Sequence, residues 1–173
     1  MKICVIGTHG AGKTTLAFLL ASHYKKLGKN VKLIQEVARS CPYPINHGMT
    51  KEACLWIYHE HARKELEASQ YHDTIVCDRS VLDSFVYAKH FNIGSDEIKE
   101  PFKSALNHLN TQYHKIIYVR PDLPIEADGV RATDEPFQKS VDEWFSRFLS
   151  GIKYTEVKSS QIFNPEEPWK HFC

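Results

Sequence analysis

Residues 7–14 read Gly-Thr-His-Gly-Ala-Gly-Lys-Thr, which fits the spacing G-x-x-x-x-G-K-[ST] of a phosphate-binding loop. The stretch before it, residues 2–6, is short, apolar and partly β-branched, as is typical of a strand buried on both faces. The stretch after it, residues 16–21, is rich in strong helix formers. Strand, glycine loop and helix therefore follow one another in the order that such a loop requires.

This loop predicts a binding site for the phosphates of ATP. Its glycines lack a Cβ, so backbone N–H groups can approach phosphate oxygens closely, and the start of the next helix directs further unpaired N–H groups there. We expect Lys13 to contact the β- and γ-phosphates and to act in catalysis, and the Thr14 hydroxyl to bind Mg²⁺. The predicted ATP contacts are Gly7, Thr8, His9, Gly10, Ala11, Gly12, Lys13, Thr14 and Thr15.

Size and charge narrow the class of protein. The 173 residues favour one domain, residues 1–173, and the formal net charge of +1 provides no general attraction for nucleic acid or an anionic membrane. No apolar run approaches the roughly 18 residues of a membrane span. The five cysteines are odd in number and lack C-x-x-C spacing, and no signal-peptide pattern precedes the first strand, so we expect a cytoplasmic protein. Cys41 and His47 would make only half of a metal site.

Strands and helices alternate along the chain. The predicted strands are residues 2–6, 31–36, 74–78, 115–119 and 152–158. This alternation favours an α/β fold of three layers, in which a five-stranded parallel sheet carries helices on both faces. Ligands of such sheets bind at the carboxyl ends of the strands. We therefore expect the phosphate-binding loop to lie near the polar residues that follow the second and third strands.

Charged residues follow both of those strands. Asp78 is expected to hold Mg²⁺ together with Thr14, although a helix N-cap or a surface acid would fit the same position. Glu36 is the candidate general base for an acceptor hydroxyl; alternatively it only pairs with Arg39. A third option exchanges the roles, so that Asp78 is the base and Glu36 binds the acceptor. Arg39 and Arg79 are assigned with these two acids to the acceptor site, and a solvated helix start is the alternative for Arg79.

A segment of unusual composition, residues 120–136, contains three prolines, several acids and two arginines, and predicts a lid. Arg131 is expected to close over the transferred phosphoryl group and to act in catalysis. Asp128 is placed with it at the substrate. Arg120 could act similarly or could pair with Asp122.

Two helices carry aromatic rings that could stack on a nucleobase, although such rings more often belong to the core. These rings are Trp56, Tyr58, His59, His61 and Tyr87. For the helix that begins near residue 51, the spacing predicts an apolar stripe of Leu55, Tyr58, Ala62 and Leu66.

Together these motifs resemble the P-loop nucleoside and nucleotide kinase superfamily, and most closely its ribosylnicotinamide kinase-like, AAA-like branch. The matching segments, residues 7–15, 36–39, 77–80, 120–122 and 128–131, run in the order of that branch. The Asp-Arg-Ser step also resembles deoxynucleoside and thymidylate kinases, whereas Asp-Gly-x-Arg is similar to the ribosylnicotinamide-like branch. The resemblance implies ATP and Mg²⁺ as cofactors at Lys13 and Thr14, an acceptor near Glu36, Arg39 and Asp78, and a lid that carries Arg131.

The predicted function is ATP- and Mg²⁺-dependent phosphoryl transfer to a small-molecule nucleoside or nucleotide. One alternative is a regulatory nucleotide-binding ATPase or switch without a small acceptor. Another is a kinase acting on nucleic acid, against which the near-neutral charge argues. We expect no membrane partner. The identity of the acceptor and the oligomeric state are left open, with a homodimer as one option.

Overall fold

The structure, a computed structural model, describes residues 1–125, 134–164 and 166. Its strands are β1 (Lys2–Ile6), β2 (Val31–Ile34), β3 (Thr74–Asp78), β4 (Lys115–Arg120) and β5 (Thr155–Lys158). Its helices are α1 (Lys13–Lys26), α2 (Lys51–Tyr71), α3 (Asp83–His90), α4 (Asp96–Gln112), α5 (Glu135–Phe148) and α6 (Ser159–Ile162). Two short 3₁₀ segments, Val37–Ser40 and Asn46–Gly48, lie between β2 and α2.

All five strands are parallel, in the order β2-β3-β1-β4-β5. The central strand β1 pairs with β3 on one side, where Val5 faces Asp78, and with β4 on the other, where Val5 faces Ile117. From β1 the chain moves to one side for β2 and β3 and to the other side for β4 and β5. Such a reversal places the loop after β1 at the crevice where parallel sheets bind ligands.

Alternating side chains of the sheet divide the core into two layers. Cys4 and Ile6 of β1 face a cluster built with helices α2 to α5, whereas Ile3 and Val5 face a cluster built with α1 and α6. The predicted three-layer α/β fold is therefore confirmed. In the part of the chain that the structure describes, no helix has both the length and the apolar character needed to cross a bilayer.

Several predicted boundaries were wrong. β2 ends at Ile34 and not at Glu36, and β5 begins at Thr155 and not at residue 152. α3 begins at Asp83, and the Ser80 hydroxyl before it accepts a hydrogen bond from the Leu82 amide in a turn and does not cap the helix. α4 runs without interruption through Pro101.

The predicted apolar stripe of α2 was also wrong. Leu66 is 67% exposed, and Leu55, Tyr58 and Ala62 are only partly buried. The buried face lies about one position along the helix and consists of Ala53, Cys54, Ile57, His61, Glu65 and Ala68. Two of these residues, His61 and Glu65, are polar. A search for apolar periodicity therefore passes over them and selects the neighbouring face.

Gly7 offers a prediction about the fold. Its φ of 136° is a conformation that side chains avoid, and a Cβ there would lie 2.5 Å from the Val119 carbonyl oxygen of β4. We expect Gly7→Ala to lower the free energy of unfolding by about 3 kcal/mol or more, since backbone strain and a steric clash add.

Gly28→Ala is the matched control for that variant. Gly28 also has a positive φ, 77°, but a Cβ there would have no atom within 4 Å. Gly28→Ala should therefore lower the free energy of unfolding only by the backbone strain, about 1–2 kcal/mol. Denaturant unfolding of the two variants checks the difference, and equal losses would contradict the clash at Gly7.

Candidate functional site

The loop between β1 and α1 is shaped to bind an anion. Gly10 and Gly12 have left-handed φ angles of 73° and 86°, and no side chain among the described residues caps the start of α1 at Gly12. The first N–H groups of the helix are therefore left for a ligand, where the helix dipole also favours negative charge. The Lys13 side chain folds back over this loop, and its Nζ donates a hydrogen bond of 2.6 Å to the Thr8 carbonyl.

Lys13 is 5% exposed, and its environment disfavours the ammonium form. Burial and the positive charge of Arg79 together lower the pKa of Lys13 to about 7, against the opposing effects of Glu36, Asp78 and Asp83. The side chain thus holds its proton weakly in the free protein, and a polyanion bound beside it would raise this pKa again.

This lowered pKa leads to a prediction about ATP binding. At about pH 8 most of the free protein carries a neutral Lys13, whereas the phosphates of bound ATP would restore the ammonium, so binding should take up close to one proton. The affinity for ATP should then fall as the pH rises above about 7, by at most about tenfold per pH unit. Calorimetric titrations at one pH in buffers with different ionisation enthalpies measure the uptake. The Lys13→Gln variant should show none, and a wild-type protein without uptake would contradict the lowered pKa.

Thr14, in the first turn of α1, lies beside Asp78, the last residue of β3. The Thr14 hydroxyl donates a hydrogen bond of 2.6 Å to Asp78 Oδ2. Asp78 is 2% exposed, and its other oxygen, Oδ1, is buried without a hydrogen-bond partner among the described residues. A buried carboxylate oxygen with no donor is costly unless a cation or water completes it. This pair therefore fits the hydroxyl–carboxylate chemistry that Mg²⁺ prefers.

Arg79 lies between two carboxylates beside the loop. Its Nε donates to Glu36 Oε1 over 2.5 Å, and its Nη1 lies 3.3 Å from Asp83 Oδ2. Arg79 has a φ of 87°, which costs a residue with a side chain about 1–2 kcal/mol. The turn after β3 is held in this shape by Asp83, whose Oδ1 accepts hydrogen bonds from the Ser80 amide and the Ser80 hydroxyl.

Glu36 is a carboxylate between two arginines. Its Oε2 accepts a hydrogen bond of 2.8 Å from Arg39 Nε, so the pairing with Arg39 that the sequence suggested is present. Burial alone would raise the pKa of Glu36, but Arg79, Lys13 and Arg39 outweigh it and lower the pKa to about 2. Glu36 is thus fully ionised near neutral pH.

Most of these residues, but not Asp78, line a single cleft of about 840 Å³, counted out to its open mouth. One part is the phosphate-binding loop with Lys13 and Thr14, and another is the Glu36–Arg79 pair. The apolar wall consists of Ala38, Ile45, Met49, Ile57 and Tyr87, and further polar side chains come from His9, Arg39, Asn46, Asp83 and Ser84. Such a mixture of apolar walls and a few polar groups is typical of small-molecule sites.

The structure does not bring every predicted residue to this cleft. Asp128 and Arg131 lie outside the described residues, as do all residues of the predicted lid from 126 to 133. Arg120 points elsewhere and pairs with Asp142 and Glu156, not with Asp122. Of the aromatic candidates only Tyr87 lines the cleft; Tyr58 packs against Phe85 and donates to Ser104, so its predicted role as a stacking ring is not supported.

Sequence reasoning missed two residues near the loop, Asp83 and Gln138, and considered Tyr87 only as a ring for a nucleobase. Asp83 could have been found from its position four residues after Arg79, the spacing of an ion pair on one helical turn. The side chain of Gln138, in α5, donates a hydrogen bond of 2.8 Å from Nε2 to the His9 carbonyl. The backbone carbonyl of Gln138 accepts a hydrogen bond from the Thr8 hydroxyl. The Tyr87 hydroxyl lies 3.2 Å from His9 Nδ1. No sequence signal links α5 to the loop, because that contact depends on the tertiary packing.

A protein-family profile described as "AAA domain" matches residues 2–162. The chain belongs to this AAA domain family. A search of curated proteins by sequence found no match. Among solved structures, this AAA domain is similar to a thymidylate kinase from Ehrlichia chaffeensis, with a TM-score of 0.64 and 19% identity over 91% of this chain and 85% of that chain.

A deoxyadenosine kinase from M. mycoides with the products dCMP and a flexible dCDP bound is similar as well. It has a TM-score of 0.58 and 17% identity over 92% of this chain and 91% of that chain. At these identities the likeness shows the fold. The resemblance of this AAA domain to the P-loop nucleoside and nucleotide kinases is thereby confirmed at the level of fold, whereas the ribosylnicotinamide-like branch stays a prediction.

Proposed function

We propose that this AAA domain protein is a kinase that transfers the γ-phosphoryl group of ATP, with Mg²⁺, to a hydroxyl of a nucleoside-like small molecule. The observation that carries the proposal is that one cleft holds both halves of such a site. Lys13 and Thr14 line it on the donor side, and the Glu36–Arg79 pair lines it on the acceptor side. Solved kinases for deoxyadenosine and thymidylate share the fold, which supports the reaction class.

On the donor side, the loop amides and Lys13 would bind the phosphates of ATP. Thr14 and Asp78 would hold Mg²⁺ with the oxygens described above, the ion serving to neutralise charge on the β- and γ-phosphates. Lys13 would contact the same oxygens. Its carbonyl partner Thr8 keeps the ammonium group over the loop until a phosphate replaces it.

On the acceptor side, we assign Glu36 as the general base. Its pKa of about 2 makes it a weak base for an unreacted hydroxyl, but phosphoryl transfer passes through a loose transition state in which the proton leaves late. Orientation then matters more than basicity, and the bonds from Arg79 and Arg39 fix the carboxylate. Asp78 suits this role less, since its Oδ2 already accepts from Thr14.

The charge balance favours a nucleoside over a nucleotide acceptor. Arg79 contacts two carboxylates and Arg39 contacts one of them, so the two arginines and two acids of the acceptor side sum to zero. An acceptor that brings its own phosphate would require additional cations near it.

We also propose that Arg131 and Asp128 complete the site from a lid at residues 120–136, and that residues 1–173 form one domain. The protein is further proposed to work in the cytoplasm, where its four described cysteines form no disulfide.

The test is an incubation with γ-labelled ATP, Mg²⁺ and a panel in which each nucleoside, ribosylnicotinamide included, is paired with its monophosphate. We expect labelled product from at least one nucleoside and less from its monophosphate. Transfer to monophosphates alone would overturn the nucleoside assignment and leave a kinase. The proposed function would be contradicted if ATP binds well but its γ-phosphoryl group is transferred to no member of the panel, whether or not the ATP is hydrolysed.

A further inference from the structure

A second group of reactive side chains lies on the other side of the sheet from α1, within the layer of α2 to α5. Its centre is Glu65 of α2, which is fully buried, and none of its members lines the cleft described above. We call this group the Glu65 cluster; it consists of Lys2, His61, Glu65, Cys77, His108 and Tyr113.

Most of the hydrogen-bonding capacity of Glu65 is used. Its Oε2 lies 2.6 Å from Lys2 Nζ and 2.8 Å from His108 Nε2, and its Oε1 accepts a hydrogen bond from the Tyr113 hydroxyl. A carboxylate has about four lone-pair positions, so one position on Oε1 remains. The two side chains nearest to that position are His61 and Cys77.

His61 and Cys77 approach Oε1 without forming good hydrogen bonds. His61 Nε2 is 3.1 Å from Oε1, yet this nitrogen has no hydrogen-bond partner among the described residues, although the side chain is 1% exposed. Cys77 Sγ is 3.9 Å from Oε1, which is long for a thiol donor. The three ligand atoms lie within 4.8 Å of one another. A nitrogen, an oxygen and a sulfur atom gathered this closely in the core are an arrangement that a shared ion would fit.

We infer that His61, Glu65 and Cys77 form a structural Zn²⁺ site. Nitrogen, carboxylate oxygen and thiolate sulfur are the ligand types that zinc takes, and two such atoms on a tetrahedral zinc are about 3.3–3.6 Å apart, close to the 3.1 Å and 3.9 Å that separate His61 and Cys77 from Glu65 Oε1. Two ligands come from one face of α2, where residues four apart are neighbours, and the third comes from β3. The three remaining members of the cluster would orient Glu65 from outside the coordination sphere.

Binding would be coupled to a proton. Zinc binds the thiolate form of a cysteine, so the ion would displace the proton of the Cys77 thiol to solvent. The thiolate and the Glu65 carboxylate, which also pairs with Lys2, would then provide the two negative charges in contact with the ion. Since His108 and Lys2 are partly exposed, they mark the side from which an ion can enter.

The site would fasten α2 to β3 at the residue before Asp78. The expected effect is therefore on stability, and the buried ion would have no contact with the acceptor. This inference is independent of the proposed function, because it concerns residues that the phosphoryl transfer does not use.

Cobalt is the probe that tests the site. The full-length protein, stripped with a chelator and kept reduced with a phosphine, is titrated with Co²⁺ alone and then with Zn²⁺. We expect a thiolate-to-cobalt charge-transfer absorption that saturates at one Co²⁺ per chain and disappears when Zn²⁺ is added. Zn²⁺ should also raise the midpoint of thermal unfolding. The oxygen ligands of Thr14 and Asp78 cannot produce that absorption, so the phosphate-binding loop does not interfere.

Variants locate the thiolate. Cys77→Ser should abolish the absorption and the thermal shift, whereas Cys54→Ser, which alters another buried cysteine on the same side of the sheet, and Cys41→Ser should retain both. His61→Gln should weaken Co²⁺ binding by at least tenfold and serves as the second variant if Cys77→Ser does not fold. Absence of the absorption in the wild-type protein, or its persistence in Cys77→Ser, would overturn the site.

Discussion

Lys13→Ala is expected to lower the kcat of phosphoryl transfer by about 10²–10³-fold or more, the usual cost of removing one donor aimed at developing charge. Lys13 is the buried cation whose ammonium lies over the phosphate-binding loop. Its loss leaves the loop amides to bind the phosphates without a side-chain charge. Initial rates at saturating ATP and acceptor measure the effect, with calorimetry to show how much ATP affinity is lost.

Lys25→Ala is the control for that variant, because Lys25 is an exposed lysine on the same helix, α1. It should leave kcat and the affinity for ATP unchanged. Retained turnover in Lys13→Ala, with a far-ultraviolet spectrum and thermal midpoint like the wild type, would contradict the donor half of the site.

Glu36→Gln is expected to lower kcat by about 10²–10⁴-fold while leaving the affinity for ATP close to that of the wild type. The amide keeps the size of the side chain, and its oxygen can still accept a bond from Arg79. It cannot take a proton from the acceptor. The loss should therefore appear in single-turnover transfer and not in ATP binding.

Two further variants separate the roles that the sequence left open. Glu67→Gln, which alters an exposed acid on α2, should behave as the wild type. Asp78→Asn should weaken the binding of Mg²⁺, whereas Glu36→Gln should leave it unchanged. If Glu36→Gln transfers at the wild-type rate and Asp78→Asn does not, the base is Asp78 and Glu36 serves only as a partner of the two arginines.

The conformation of the loop at residues 7–14 was predictable because its sequence signal is local. The spacing of Gly7, Gly12 and Lys13, with an apolar strand before and a helix after, specifies a backbone shape that few other functions require. Alternation of strands and helices then placed Glu36 and Asp78 at the same edge of the sheet. The structure brings these predicted residues to one region, as the pairs Thr14–Asp78 and Glu36–Arg79 show.

What the sequence could not supply depends on contacts between distant segments. Tyr113 reaches Glu65 across 48 positions of chain, and Gln138 reaches the His9 carbonyl across 129. Glu65 reads as a surface acid on a charged helix, and only the packing of α4 and β1 against α2 makes it a buried centre. The same packing moved the buried face of α2 away from Leu66, because a polar group with enough partners can occupy a core position.

The most direct test of the central claim is the rate of ADP formation by the wild-type protein with Mg²⁺ and ATP, measured with and without the best nucleoside of the panel. A cleft that holds donor and acceptor together predicts that ADP forms many times faster with the nucleoside, in a one-to-one ratio with phosphorylated product. ADP formation at the same rate without any acceptor, released as inorganic phosphate, would contradict a kinase and indicate an ATPase.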